Sequence, residues 1–167
     1  MKAKRWMKFF LWLVLTIQIL ILTCFALPSI LGFQCYTVIS GSMQPALPVG
    51  CAIYVKKEKP ELVKKGDIIT YTVGEEETRV THRVLETDMK KRQFVTKGDA
   101  NKDEDAAPVK WEKLQGVVRW WVPKAGYLLR FLGDKKGKAA ILCSLLFVCV
   151  SLEFLESSEM NCKKKGR

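Results

Sequence analysis

Thr78–Glu86 reads TRVTHRVLE, and its alternation decides the fold. Side chains two apart along a strand share a face, so Val80, His82 and Val84 fall on one side and Thr81 and Arg83 on the other. That is the pattern of a half-buried strand, with a histidine on its apolar face. Just before it, Ile68–Val73 (IITYTV) is rich in β-branched residues and is joined to it by the turn Gly74-Glu75-Glu76-Glu77. After it, a polar turn over 87–92 leads to a short strand, Phe94–Lys97. Further out, Cys35–Ser40 (CYTVIS), Cys51–Lys56 (CAIYVK) and Leu114–Val122 (LQGVVRWWV) read as strands bounded by Gly and Pro. Within 34–134 helical periodicity shows only at Tyr127–Leu132 (YLLRFL). Short strands with tight turns predict a mostly β fold, a small antiparallel β domain or partly closed barrel.

This domain is flanked by apolar blocks. Phe9–Leu27 (FFLWLVLTIQILILTCFAL) carries no charge, and at 1.5 Å per residue its length is roughly one hydrocarbon core. Pro28 and Gly32 are expected to end it. Lys2, Lys4, Arg5 and Lys8 precede it, which predicts a cytoplasmic N-terminus and an extracytoplasmic β domain at the cell membrane. A cleaved signal peptide is the competing reading, but the apolar run is long and no clean small-x-small site follows it, so an uncleaved anchor is expected. Ala139–Leu152 (AAILCSLLFVCVSL) is short for a span and meets Glu153. The basic tail Lys163–Arg167 suits a second, C-terminal transmembrane helix, whereas Lys135, Lys136 and Lys138 suit an interfacial one. The expected organisation is a cytoplasmic basic end and transmembrane anchor over 1–33, an extracytoplasmic β domain over 34–134, and a C-terminal transmembrane helix with a basic cytoplasmic tail over 135–167.

The chain has 167 residues and a net charge of +11. Through 34–138 the bases alternate with acids, as in Lys56-Lys57-Glu58-Lys59, and Trp120 and Trp121 lie in an apolar strand rather than on a stacking platform. Nucleic-acid binding is therefore not expected, and anionic lipid accounts for the excess charge. Of six cysteines, Cys24, Cys143 and Cys149 lie in the apolar blocks and Cys162 in the tail. Cys35 and Cys51 flank the Gly/Pro loop between the first two strands, where either a cross-strand disulfide or two free thiols is compatible with the spacing. With one histidine and no CxxC pair, no metal or other cofactor is expected.

Three local features could do chemistry. Ser40-Gly41-Ser42-Met43-Gln44-Pro45 lies where a strand runs into a loop, a place that can hold a hydroxyl out of the ladder. A serine needs a base to act as nucleophile. His82 offers the side chain best suited to proton transfer near neutrality. Lys97-Gly98-Asp99-Ala100-Asn101-Lys102-Asp103-Glu104-Asp105 supplies acids that could orient an imidazole, although a solvated turn is its plainer reading.

Taken in order, these segments resemble the type I signal peptidases, in the branch related to the catalytic subunit of the endoplasmic-reticulum enzyme. The resemblance covers roughly residues 9–132 and rests on SGSMQPALPVG (40–50), KKGDIITY (64–71), THRVLE (81–86) and TKGDAN (96–101). It implies a membrane-bound serine endopeptidase that removes signal peptides from exported preproteins. Ser42 matches the nucleophile and His82 the general base, where the usual bacterial enzyme has lysine. Asp105 matches the third member best, with Asp99 the alternative and the Gly-Asp turn in support. The Ser42 backbone N–H and the Ser40 hydroxyl would bind the oxyanion. Gln44 departs from the acid common in this branch.

The expected partners are preprotein signal peptides and membrane lipid; accessory subunits are not specified. Substrate would lie extended along the strand edges before Ser42 and before His82. Leu47, Trp120, Trp121 and YLLRFL would either lean on lipid or fill the core. Competing readings are a non-catalytic membrane-tethered β module that binds a protein partner and a self-cleaving protease of the repressor type. Should His82 face away, Lys97 is the nearest substitute base.

Overall fold

The strand that carries His82 runs Thr78–Asp88 and sits deep in a seven-stranded antiparallel sheet. A computed structural model describes residues 2–165, with side chains for 4–157. Gly166 and Arg167 of the basic tail lie outside the described residues. The strands are β1 (Phe33–Thr37), β2 (Ala52–Lys56), β3 (Ile68–Val73), β4 (Thr78–Asp88), β5 (Gln93–Lys97), β6 (Val109–Lys110) and β7 (Leu114–Val122). Their spatial order is β1-β2-β7-β3-β4-β5-β6. Helices α1 (Lys2–Ile30), α2 (Ala125–Gly133) and α3 (Lys135–Lys165) complete the chain.

The pleat buries the face expected from the alternation. His82 lies opposite Ile69 of β3, and Val84 lies opposite Thr96 of β5. Ile69, Tyr71, Val84, Phe94, Val109, Trp111 and Val117 form one apolar cluster on that face. A second cluster joins Met43 and Leu47 to Cys51, Ile53 and Val55, so the loop holding Ser42 is pinned to β2 by its two apolar side chains. Each fully buried Leu or Met side chain contributes about 1.5–3 kcal/mol to holding that loop. Leu47 is thus a core residue rather than a lipid contact. Trp120 lies against Phe33 and Tyr54, with centroids 4.4 and 5.3 Å away, and is 43% exposed.

Several boundaries differ from those the sequence predicts. β1 begins at Phe33 and ends at Thr37; beyond it, Val38 bonds to Cys51 and Gly50 instead of continuing as a strand. β6 has two residues, too few to show any alternation. Cys35 pairs across the sheet with Tyr54 and both Cys35 and Cys51 are free thiols, so no disulfide joins them.

The β domain and the helical segments form two compact units, Pro28–Arg130 and the residues to Leu27 together with those from Phe131 on. Helix α1 includes Pro28 rather than ending before it, and α3 runs well past the apolar block 139–152. Glu153 and Glu156 are good helix formers, so the backbone ladder continues where the apolar character fades. Lys4–Ile30 and Lys135–Ser157 are each long and apolar enough to cross a membrane. Gln18 Nε2 donates to Ser144 Oγ at 3.0 Å, tying α1 to α3.

Phe94 is fully buried and stacks on Trp111 at 6.1 Å. Phe94→Ala should therefore destabilise the β domain by about 3–5 kcal/mol. Urea unfolding of the full chain in detergent micelles, followed by tryptophan fluorescence, reads this directly.

Candidate active site

Three elements that are distant in sequence meet at one end of the buried face of β4. The first is the turn after Ser40. Gln44 N–H bonds to the Gly41 carbonyl at 3.0 Å and Leu47 N–H to the Met43 carbonyl at 2.8 Å, which closes a tight coil around residue 42. Burial of Met43 and Leu47 leaves the side chain between Gly41 and Met43 partly exposed, aimed at β4. Ser42 Oγ lies 3.2 Å from His82 Nε2, and Ser40 Oγ lies 3.3 Å from Ser42 Oγ.

The second element is β4. His82 is 8% exposed, and its Nδ1 is 2.7 Å from Asp105 Oδ2. An Nδ1–H that donates to the carboxylate leaves the Nε2 lone pair free to accept the Ser42 hydroxyl proton.

The third element is the loop after β5. Gly98 lets it close on the serine turn: a Cβ there would stand 2.7 Å from the Ser42 carbonyl oxygen and 2.8 Å from Asn101 Nδ2. The Ala100 N–H bonds to that same carbonyl at 2.8 Å. The loop then returns so that the Asp105 N–H meets the Thr96 carbonyl at 2.9 Å.

The two candidate acids are sorted by the pleat. Asp105 reaches the buried face and His82. Asp99 goes to the opposite face, where its two oxygens accept from Arg83 Nε at 2.8 Å and Nη2 at 2.6 Å. Arg83 is held above its ordinary value, chiefly by that hydrogen-bonded pairing, against the opposing effect of burial. Lys97 Nζ donates to the Lys102 carbonyl at 2.8 Å, so it is engaged by its own loop.

Two further side chains join Asp105 without having stood out in the sequence. Thr96 Oγ1 donates to Asp105 Oδ2 at 2.6 Å, and the Tyr71 hydroxyl donates to the same oxygen at 2.9 Å. Both residues are buried, at 1% and 3% exposure. Their only sequence signal is position: Tyr71 ends KKGDIITY and Thr96 begins TKGDAN, each on the inward phase of its strand. Burial pushes the Asp105 carboxyl up, but hydrogen bonds from Thr96, His82 and Tyr71 outweigh it and hold the group below its ordinary value. Burial and the neighbouring Asp105 raise the Tyr71 phenol, against a lowering contribution from Thr96, so it stays protonated.

A groove of about 590 Å³ leads away from Ser42 and His82. Its walls are 36–40 on one side and 78–82 on the other, and Met43, Leu47 and Ile53 give it an apolar floor. β5 pairs with β4 only from Arg83 onward, so 78–82 present an open edge there, and β1 is the outermost strand on its own side of the sheet.

A carboxyl lowered by folding contributes stability above its unfolded value and loses it as pH falls through the folded one. The melting-temperature gap between the wild type and Asp105→Asn should therefore be constant at neutral pH and close as pH drops below 3.8. Thermal melts between about pH 7 and 2 check the sign.

No family model matches the chain. It is 29% identical over 126 residues to the signal peptidase complex catalytic subunit SEC11 of Zygosaccharomyces rouxii, covering 69% of this chain and 75% of that one. It is 31% identical over 111 residues to the SEC11 subunit of Lachancea thermotolerans, covering 59% of this chain and 66% of the relative. It is also 38% identical over 92 residues to signal peptidase I W of Bacillus subtilis, covering 53% of this chain and 47% of that protein's length. With Ser42 and His82 within hydrogen-bonding distance and relatives of both the endoplasmic-reticulum and bacterial kinds, the chain belongs to the type I signal peptidases.

Proposed function

We propose that this protein is a membrane-bound serine endopeptidase that removes signal peptides from preproteins by transferring the acyl group of the scissile bond to Ser42 and then to water. The observation that carries the reading is the continuous relay from Ser42 Oγ to His82 Nε2 at 3.2 Å and from His82 Nδ1 to Asp105 Oδ2 at 2.7 Å. The names of its relatives support the same activity.

In this scheme Ser42 Oγ attacks the scissile carbonyl while His82 Nε2 takes its proton. The imidazolium is held by Asp105 and returns the proton to the leaving amine; water then resolves the acyl-enzyme by the same route. The Ser40 hydroxyl and the Ser42 N–H receive the developing oxyanion, and a single donor in such a site is worth about 10²–10³ in rate. Asp99 supports the loop from the far side through Arg83.

Substrate enters the groove extended, adding its backbone to 36–40 and 78–82. The acyl half, on the signal-peptide side of the cut, stays on Ser42 as the ester while the amine leaves, and the groove beside Ser42 is the surface that would hold its extended chain. The apolar floor favours small apolar side chains near the scissile bond.

Two apolar helices support membrane attachment. The bases at Lys2, Lys4, Arg5 and Lys8 favour a cytoplasmic N-terminus, and with it a β domain on the outer face of the cell membrane or its topological equivalent. A signal peptide is itself held in the bilayer, so attachment to the same membrane raises the effective concentration of the two.

Cleavage of a preprotein in detergent micelles or membranes tests this reading. Ser42→Ala and His82→Ala should each lower kcat by at least about 10³-fold, and Asp105→Ala by about 10²–10⁴. Asp99→Ala should cost under about tenfold, because its carboxylate meets Arg83 and not the base. Equal processing by the wild type and the Ser42 variant would leave only a binding module.

A further inference from the structure

Asp105 stands on the irregular loop between β5 and β6, so its carboxylate needs ties to the sheet to stay against His82. Its backbone is tied to the sheet at the Thr96 carbonyl, and its carboxylate is tied at the Thr96 hydroxyl, so one residue of β5 grips it at both ends. The Tyr71 hydroxyl closes the arrangement from β3. It lies 2.9 Å from Asp105 Oδ2, 3.3 Å from Thr96 Oγ1 and 3.4 Å from His82 Nδ1. Three donors, from Thr96, His82 and Tyr71, therefore converge on the single oxygen Oδ2.

Burying two hydroxyls at this depth is costly unless each is hydrogen-bonded, and here each donates to the same carboxylate. Phenylalanine and valine would fill the same space without that requirement. The hydroxyls have a consequence that packing alone lacks. A donor to a carboxylate disperses its charge, so the carboxylate competes less strongly for the proton on the imidazole. The side chains facing His82 are Ser42 from the turn, Tyr71 from β3, Asp105 from the loop after β5 and Thr96 from β5; the nearby charges Arg83 and Asp99 pair with each other on the opposite face.

We infer that Tyr71 and Thr96 are positioning residues: their hydroxyls hold Asp105 against His82 and temper how firmly it retains the proton that His82 must pass on. The inference rests on the proposed peptidase reading for its catalytic consequence, but not for its structural one. With the hydroxyls present, the imidazole is oriented yet able to return its proton to the leaving amine. Without them, Asp105 has fewer constraints and a more concentrated charge.

His82 is the only histidine in the sequence, so a single imidazole signal reports its titration without assignment. The full chain, prepared without a histidine tag and labelled with ¹⁵N-histidine, would be titrated in detergent micelles as wild type, Tyr71→Phe, Thr96→Val and Thr96→Ser. The midpoint should move to higher pH by about half a unit to one unit in Tyr71→Phe and Thr96→Val, and Thr96→Ser should restore it. In preprotein cleavage, the same two variants should lose about tenfold in kcat with KM unchanged, and the acid limb of the rate profile should move up in parallel.

A midpoint that stays put or moves down in both variants overturns the inference. So does a kcat loss that Thr96→Ser fails to rescue, which would mean the β5 position matters only for packing. Shifted midpoints in a protein that cleaves no preprotein would uphold the hydroxyl clamp and sink the peptidase reading.

Discussion

The site depends on one constraint, the register of β4 between β3 and β5. A strand offers its side chains to two faces in strict alternation, and a slip of one residue exchanges them. Here the register sets His82 opposite Ile69 and Val84 opposite Thr96. Tyr71 and Thr96 are then diagonal neighbours of His82 on the same face, within reach of a long side chain or a shared acceptor. Moving β4 by one residue would point Arg83 into this cluster and His82 outward. Ser42 and Asp105 come from loops, but they meet only because the strand presents the imidazole where both loops end.

The same alternation explains how two carboxylates in a run of four acids within 99–105 come to differ. Asp99 follows Gly98 immediately and meets Arg83, on the outward face of β4. Asp105 follows six residues later, after the loop has turned back to bond with Thr96. A charged partner on the outer face and a set of hydroxyl and imidazole donors on the inner face each stabilise one carboxylate. Neither acid is left buried without partners, which would be the costly arrangement.

How much of this is visible in the chain itself varies with the physics involved. β4 is legible because half-burial imprints a period of two on the sequence, and β2, β3 and β7 because β-branched and aromatic residues crowd them. β6 is not, since two residues carry no period. The ends of β1 and of the helices depend on hydrogen-bond competition that composition does not record: Val38 leaves the strand for Cys51 and Gly50, while α1 continues through Pro28. Ser42 and His82 stand out only as members of an ordered set of motifs. Tyr71 and Thr96 do not stand out because a hydroxyl residue on the inward phase of a strand has the same signature whether its partner is a carbonyl or the carboxylate of Asp105.

The groove carries a further consequence. Unpaired strand edges invite adventitious pairing, and small β proteins normally shorten, charge or cover them. This domain keeps two that line the groove, the outer edge of β1 at Tyr36 and Thr37 and the β4 segment 78–82. Backbone pairing to such edges is indifferent to most side chains, so under the proposed reading the edges themselves would select little. Under the same reading, selectivity would come from the few positions where a substrate side chain meets Met43, Leu47 and Ile53, which line the groove. Met43 and Leu47 are also the residues that pin the turn around Ser42 to β2. If Ser42 is the nucleophile, a side chain too large for this surface would press on the anchors of its turn, so a poor fit would move Ser42 away from His82 as well as weaken binding.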